Sequence, residues 1–122
     1  MRSVTPLQNS EKIQIEPRHL LLLHQMIREH TEVPAFLFGS RVLGRARTYS
    51  DLDVCLRGQQ VLPLSLLSDL SEAADDSSIP YVVDFSDFAR LPEAFQREVV
   101  ERGVNIDELI SSHRVSDSQK PV

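Results

Sequence analysis

The stretch "FLFGSRVLGRARTYSDLDVCL", residues 36–56, decides the fold. It joins two short apolar runs that have the length of buried strands, and Gly39-Ser40 ends the first of them. Two aspartates one residue apart, Asp51 and Asp53, open the second run. Aspartate has a low β-propensity and its charge is costly to desolvate. Something in the folded protein must therefore compensate these two carboxylates.

The elements on either side of this stretch predict an α+β domain. In chain order we predict a helix from Pro17 to about His30, strands at 35–38 and 51–57, a helix at 62–74, a strand at 81–85 and a helix at 92–102. Strand alternation sends Leu52, Val54 and Leu56 to one face and both aspartates to the other. The order favours a small mixed β-sheet with helices packed on one face, which leaves the aspartate face open.

Composition restricts where the protein works and with what. The 122 residues suit one domain, which we place at 15–112 between a flexible N-terminus, 1–14, and a flexible C-terminal tail, 113–122. A formal net charge of −5 argues against direct nucleic-acid binding. The chain shows no signal peptide and no membrane span, and its one cysteine cannot form an internal disulfide. We therefore expect a cytoplasmic protein with no membrane partner.

The spacing of the aspartates predicts a metal site. Residues two apart on a strand lie on the same face, about 7 Å apart at Cα. A divalent cation such as Mg²⁺ most simply offsets their repulsion, because it takes one or two carboxylates and completes its coordination with water and substrate phosphates. A third carboxylate, Asp84 on a neighbouring strand, would let two metals sit roughly 3.5 to 4 Å apart. We predict Asp51, Asp53 and Asp84 as catalytic and metal-binding residues.

The segment between the two strands predicts a phosphate-binding loop. Gly39 at a strand end lets the backbone approach a phosphate closely, and Ser40 at the start of a helical turn offers a hydroxyl and an N–H. Three arginines follow, which serve either to neutralise a triphosphate or simply as solubilising surface: Arg41, Arg45 and Arg47. The predicted nucleotide-binding residues are Gly39, Ser40, Arg41, Arg47 and Ser50.

Taken one at a time, the predicted site residues also fit simpler structural roles. These roles have less support when the residues are considered together. Asp51 and Asp53 alone would also fit an edge strand whose acidic residues prevent pairing with other chains. A P-loop needs a Gly-Lys pair, whereas lysine occurs only at positions 12 and 120. Cys55 shares the aspartate face, where carboxylates would raise the pKa of its thiol, so we interpret it as a packing residue. The four histidines lack zinc-ligand spacing.

Gly39-Ser40, ten further residues and then Asp51-x-Asp53 resemble the G-S-x10-D-x-D signature of the DNA polymerase β-like nucleotidyltransferases. The stretches "FGSRVLGRARTYSDLD" and "YVVDF" resemble in particular the stand-alone minimal nucleotidyltransferase (MNT) branch, over about residues 17–103. The resemblance implies that Asp51 and Asp53 bind both metals. It also implies that Asp84 binds the catalytic metal and helps to deprotonate the acceptor hydroxyl, and that Gly39 and Ser40 hold the β and γ phosphates.

The same resemblance implies an activity and a partner. Larger members append a helical domain that grips base and acceptor, and this chain has no length for one, so a partner should supply what is missing. In the MNT branch that partner is typically a helical HEPN protein, often an RNA-cleaving toxin, and the MNT protein acts as antitoxin by transferring AMP from ATP to a toxin tyrosine. Two hypotheses follow. One is a Mg²⁺-dependent adenylyltransferase, and the other is a non-catalytic module that occludes its HEPN partner and keeps a nucleotide-sensing or vestigial site.

Overall fold

A computed structural model of the chain describes residues 13–47 and 50–118, with side chains described as far as residue 112. The elements in chain order are α1 (Pro17–His30), β1 (Ala35–Phe38), β2 (Leu52–Leu56), α2 (Leu64–Asp75), β3 (Val83–Asp87), a 3-10 turn (Phe88–Arg90), α3 (Glu93–Arg102), β4 (Val104–Asn105) and α4 (Ile106–Ser118). None of the helices in these ranges is long and apolar enough to span a membrane.

The four strands form one mixed sheet in the order β3-β2-β1-β4. β1 runs antiparallel to both β2 and β4, whereas β2 and β3 are parallel. A parallel pair needs a crossover connection, and α2 supplies it between β2 and β3. The predicted α+β class with a small mixed sheet is confirmed.

The main core lies between one face of the sheet and the helices α1, α2 and α4. The apolar side chains that alternate along the central strands are fully buried there: Leu37, Leu52, Val54 and Leu56. α1 begins at Pro17, whose missing N–H costs nothing at a helix start, and packs Leu23 and Ile27 onto this face. The residues on the other face, Asp53 among them, are thereby held in fixed positions on a rigid scaffold.

One helix departs from the predicted layering, which placed every helix on one face. Phe38, Cys55 and Val99 form a second, smaller buried cluster, against which Phe36 and Phe88 pack. Phe38 and Cys55 alternate with the main-core residues, so they point to the aspartate side of the sheet. Val99 belongs to α3, and this helix therefore covers part of that side because the phenylalanines of β1 need an apolar cover.

The structure also corrects several predicted boundaries. β3 spans 83–87 instead of 81–85. This change of two residues in the strand bounds does not move Asp84 from the aspartate face, because side chains alternate with period two. β4 and α4 were not predicted, and α4 extends through residue 118 into the segment expected to be a tail.

At the other end, the segment 1–14 was expected to be loose. Ile13 is buried, and the Gln14 N–H donates to the Arg41 carbonyl at 2.9 Å, so the ordered domain starts before residue 15. The remaining terminal residues, 1–12 and 119–122, lie outside the described residues.

Candidate active site

The three predicted aspartates lie on, or directly before, two neighbouring parallel strands. In the register of β2 and β3, Asp53 lies directly opposite Asp84. Parallel neighbours are about 4.8 Å apart, so the two carboxylates are within reach of one cation. Asp51 precedes β2 by one residue and is exposed, as is Asp84, while Asp53 is half-buried. The site thus has one sheltered carboxylate between two that are accessible to solvent.

The electrostatics of Asp53 show that this cluster lacks a compensating charge. Burial is the main reason that the pKa of Asp53 rises from 3.8 to about 6. The carboxylates of Asp84, Asp51 and Glu98 add to the rise. In the part of the chain that the structure describes, no arginine or histidine pairs with any of the three aspartates. The cluster therefore favours a bound cation, since like charges this close repel.

The donor set fits a hard divalent cation. All the available ligands are carboxylate oxygens, which Mg²⁺ and similar ions prefer. Within residues 13–47 and 50–118, no three side chains of the metal-binding types are already gathered around a common point. Mg²⁺ binding by one or two carboxylates, completed by water and phosphate oxygens, does not require such a preformed cage. The side chains of Asp51 and Asp84 are exposed and can turn toward a cation.

Gly39 follows β1 and stands against the central carboxylate. Its φ of +86° lies in the left-handed region, which side chains disfavour. A Cβ at this position would also collide with the carboxylate of Asp53. The carbonyl of Gly39 accepts the N–H groups of Val42 and Leu43, so a helical turn starts here and Ser40 lies in its first positions. The Gly39 N–H donates to Oε2 of Glu98 at 3.1 Å.

The structure places Arg41 inside the loop rather than at its surface. Its guanidinium donates to the carbonyl of Ser50 at 3.0 and 3.1 Å and to the carbonyl of Gln14 at 2.6 Å. It also lies 4.0 Å over the ring of Tyr81. These contacts tie the residue before Asp51 to the start of the domain, so Arg41 positions the aspartate strand. A direct role in nucleotide binding stays a prediction.

The remaining predicted loop residues lie at the surface. Arg45 and Arg47 are exposed, and the Ser50 hydroxyl accepts the Arg47 N–H at 2.8 Å. The Ser50 N–H donates back to the Arg47 carbonyl at 3.0 Å, which closes a turn just before Asp51. Residues 48 and 49, between them, lie outside the described residues. Nucleotide binding by Arg47 and Ser50 is a prediction that this geometry permits and does not test.

Sequence reasoning missed Glu98. It projects from α3, and no local pattern in "QREVVER" separates it from the other charged residues of this helix. Only the packing of α3 against β1 brings it to Gly39. The interpretation of Cys55 as a packing residue is confirmed, because the side chain is fully buried and burial raises the pKa of its thiol to about 11.

Two surface cavities lie away from the aspartates. One of about 590 Å³ is bordered by Val33, Phe36 and Arg57 at the far end of β1 and β2. The other, of about 540 Å³, is bordered by Arg41, Arg47 and Tyr81 beside the loop that leads to Asp51. Asp51, Asp53 and Asp84 line neither of these two cavities.

Carboxylates on two neighbouring strands, beside a glycine turn that carries a serine hydroxyl, are the arrangement that the sequence predicts for a nucleotidyltransferase. The comparison with known families agrees. Residues 22–109 match the family described as "Polymerase beta, Nucleotidyltransferase", and the chain belongs to that family. The predicted enzyme class and the resemblance to polymerase β-like nucleotidyltransferases are confirmed.

Among known proteins, the chain is 36% identical over 81 residues to the probable protein adenylyltransferase MntA of Haemophilus influenzae, a match that covers 66% of this chain and 68% of the relative. The same fold occurs in a toxin–antitoxin structure with AMP-PNP, at 20% identity and a TM-score of 0.61 over 85% of this chain and 88% of that one. It also occurs in a complex of the tri-AMPylated Shewanella oneidensis HEPN toxin with an MNT antitoxin, at 20% identity and a TM-score of 0.52. That match covers 86% of this chain and 87% of the other. These matches confirm the resemblance to the MNT branch.

Proposed function

We propose that this protein is a Mg²⁺-dependent adenylyltransferase that moves AMP from ATP to a tyrosine hydroxyl of a helical HEPN toxin and so acts as its antitoxin. The observation that carries the proposal is the register that sets Asp53 opposite Asp84 with no compensating cation among the described side chains. The relative named as a protein adenylyltransferase supports the reaction type. The solved complexes support the nucleotide and the partner class.

In this reaction an oxygen of the acceptor hydroxyl bonds to the α-phosphorus of ATP. The bond from that phosphorus to the bridging oxygen of the β-phosphate breaks, and pyrophosphate leaves. Asp51, Asp53 and Asp84 would hold the metal ions, which when bound offset the negative charge of both the carboxylates and the phosphates. Asp84 is exposed on β3 and can take the proton of the acceptor.

The nucleotide would lie along the turn after β1. Gly39 has no side chain, which lets its backbone lie directly against the Asp53 carboxylate, and Ser40 contributes its hydroxyl in the turn that follows. The exposed guanidinium groups of Arg45 and Arg47 lie on the same loop and can reduce the charge of the triphosphate. The HEPN partner would bring its tyrosine to the open end of the aspartate face, and an ATP-dependent reaction of this kind belongs in the cytoplasm.

A second candidate function is neutralisation by occlusion, without transfer. The observation that favours it is that the Gly39 N–H is already occupied by the Glu98 carboxylate. An acidic surface, with a formal net charge of −5 for the chain, would also complement the basic surface of an RNA-cleaving partner. In that case the carboxylates would sense nucleotide or would be a relict.

The experiment that separates the two functions is the intact mass of the HEPN partner after incubation with ATP, Mg²⁺ and this protein. Wild type should add whole AMP units. Asp51→Asn with Asp53→Asn should add none while still binding the partner, because asparagine has nearly the same shape as aspartate and leaves the packing of β2 intact. Asp69→Asn with Asp75→Asn, two exposed positions on α2, makes the same change in charge and should behave as wild type. Full transfer by the Asp51/Asp53 variant would refute the proposed function.

A further inference from the structure

Glu98 occupies a backbone donor that the proposed reaction needs. Its Oε2 accepts the Gly39 N–H at 3.1 Å, across 59 positions of sequence. The next residue of α3, Val99, is only 2% exposed and packs with Phe38 and Cys55. This packing fixes α3 against β1, so the approach of Glu98 to Gly39 is built into the fold rather than being a chance contact of a surface side chain.

The position of this carboxylate matters because of what Gly39 does. A glycine N–H at a strand end is a donor for a phosphate oxygen, and an N–H makes one strong hydrogen bond at a time. A triphosphate that docks on the Gly-Ser turn must therefore displace Glu98 from Gly39. Glu98 also adds a fourth negative charge to the cluster of Asp51, Asp53 and Asp84.

We propose that Glu98 sets the affinity of this site for nucleotide: it competes with the triphosphate for the Gly39 N–H and makes nucleotide binding depend strictly on a divalent cation. The inference rests on the proposed function. Metal-free ATP is repelled by four carboxylates around one turn, whereas ATP that carries Mg²⁺ brings the cation that offsets them. The acidic side chain thereby selects the reactive, metal-loaded form of the substrate.

Equilibrium binding of AMP-PNP, measured by calorimetry with no partner protein present, tests this inference without any transfer step. Glu98→Ala removes both the charge and the hydrogen bond, and Glu98→Gln keeps an acceptor for the Gly39 N–H but removes the charge. Glu101→Gln is the matched control, because it makes the same change in charge at an exposed position of the same helix. Each protein is measured with Mg²⁺ and with a chelator.

With Mg²⁺ we expect Glu98→Ala to bind AMP-PNP roughly three- to thirtyfold more tightly than wild type. This factor corresponds to the loss of one charge-assisted hydrogen bond that competes with the nucleotide for the Gly39 N–H. With chelator, the affinity of both Glu98 variants for AMP-PNP should exceed that of wild type by a larger factor than it does with Mg²⁺. The affinity of Glu101→Gln should equal that of wild type in both conditions. Because Glu98→Gln preserves the contact to Gly39, it decides the question even if Glu98→Ala folds poorly.

Weaker binding by Glu98→Gln in Mg²⁺ would show that Glu98 is a metal ligand or supports the turn, and would overturn the inference. Binding unchanged from Glu101→Gln would overturn it as well, since Glu98 would then be a structural contact only. If wild type and every variant fail to bind AMP-PNP, the proposed function itself fails and the inference with it. If wild type binds and the variants bind no more tightly, only the inference fails.

Discussion

Replacing Asp53 by asparagine should stabilise the metal-free protein even though it abolishes transfer. Asparagine has nearly the same shape as aspartate, so the substitution removes a charge and leaves the packing of β2 intact. The pKa of Asp53 rises from 3.8 to about 6 on folding, mainly through burial. At 1.36 kcal/mol per pKa unit, the ionised carboxylate destabilises the folded state by at most about 3 kcal/mol. Partial exposure to solvent reduces this penalty, and we expect Asp53→Asn to raise the free energy of unfolding by about 1 to 2 kcal/mol.

The sign of the pH dependence follows from the direction of the shift. A carboxyl whose pKa is higher in the folded than in the unfolded state binds more protons when folded. The penalty is therefore fully present above about pH 6, decreases as the pH falls toward 3.8, and is absent below that value. Mg²⁺ should act in the opposite direction on wild type, because it binds the ionised carboxylates of the folded state only.

The assay is urea denaturation of wild type, Asp53→Asn and the exposed control Asp69→Asn, at pH 7.5 and pH 4.5, with chelator and with Mg²⁺. At pH 7.5 in chelator we expect Asp53→Asn to have a higher free energy of unfolding than wild type. This difference in stability should become smaller at pH 4.5 and in Mg²⁺. Asp69→Asn should follow wild type throughout. The reasoning is refuted if Asp53→Asn is no more stable than wild type at pH 7.5, or if its advantage is the same at both pH values.

Three further predictions concern the residues around the cluster. Gly39→Ala should cost about 1 to 3 kcal/mol in urea denaturation, because it forces a side chain into positive φ and against the Asp53 carboxylate; stability equal to wild type would contradict this. Arg41→Lys should lower the free energy of unfolding by about 1 to 3 kcal/mol, since one ammonium cannot contact two carbonyls and also stack on Tyr81. Arg45→Lys, at an exposed position, is the control and should leave the free energy of unfolding unchanged. Cys55 should react with a thiol reagent at pH 7.5 only as fast as the protein unfolds, because its side chain is fully buried, and burial also raises the pKa of its thiol to about 11; rapid labelling of native protein would argue against this burial.

The sequence was most informative where local pattern determines the structure. Alternation within a strand is a local property, so it assigned the aspartates to one face even though β3 begins two residues later than predicted. The left-handed turn at Gly39 was likewise foreseeable, because glycine at a strand end followed by serine is a local signal. The proposed chemistry of the site rests on these two features.

Contacts between distant segments could not be predicted in the same way. Glu98 reaches Gly39 only because Val99 packs under the sheet, and Arg41 is buried only because Gln14 and Ser50 present carbonyls to it. The helix α4 is a different case, since Asn105 caps it through the Glu108 N–H at 3.0 Å. A capping asparagine before an apolar repeat at 106, 109 and 110 is a local start signal, so this helix was predictable even though it was not predicted.

The most direct test of the central claim is the fate of labelled phosphate when the protein, its HEPN partner and Mg²⁺ are incubated with ATP labelled at either the α or the γ position. If AMP is transferred and the pair of Asp53 and Asp84 carries the reaction, the α label becomes attached to the partner and the γ label leaves as pyrophosphate. Asp84→Asn should lose the α signal and Asp69→Asn should retain it. Attachment of the γ label, or an undiminished α signal with Asp84→Asn, would contradict the account.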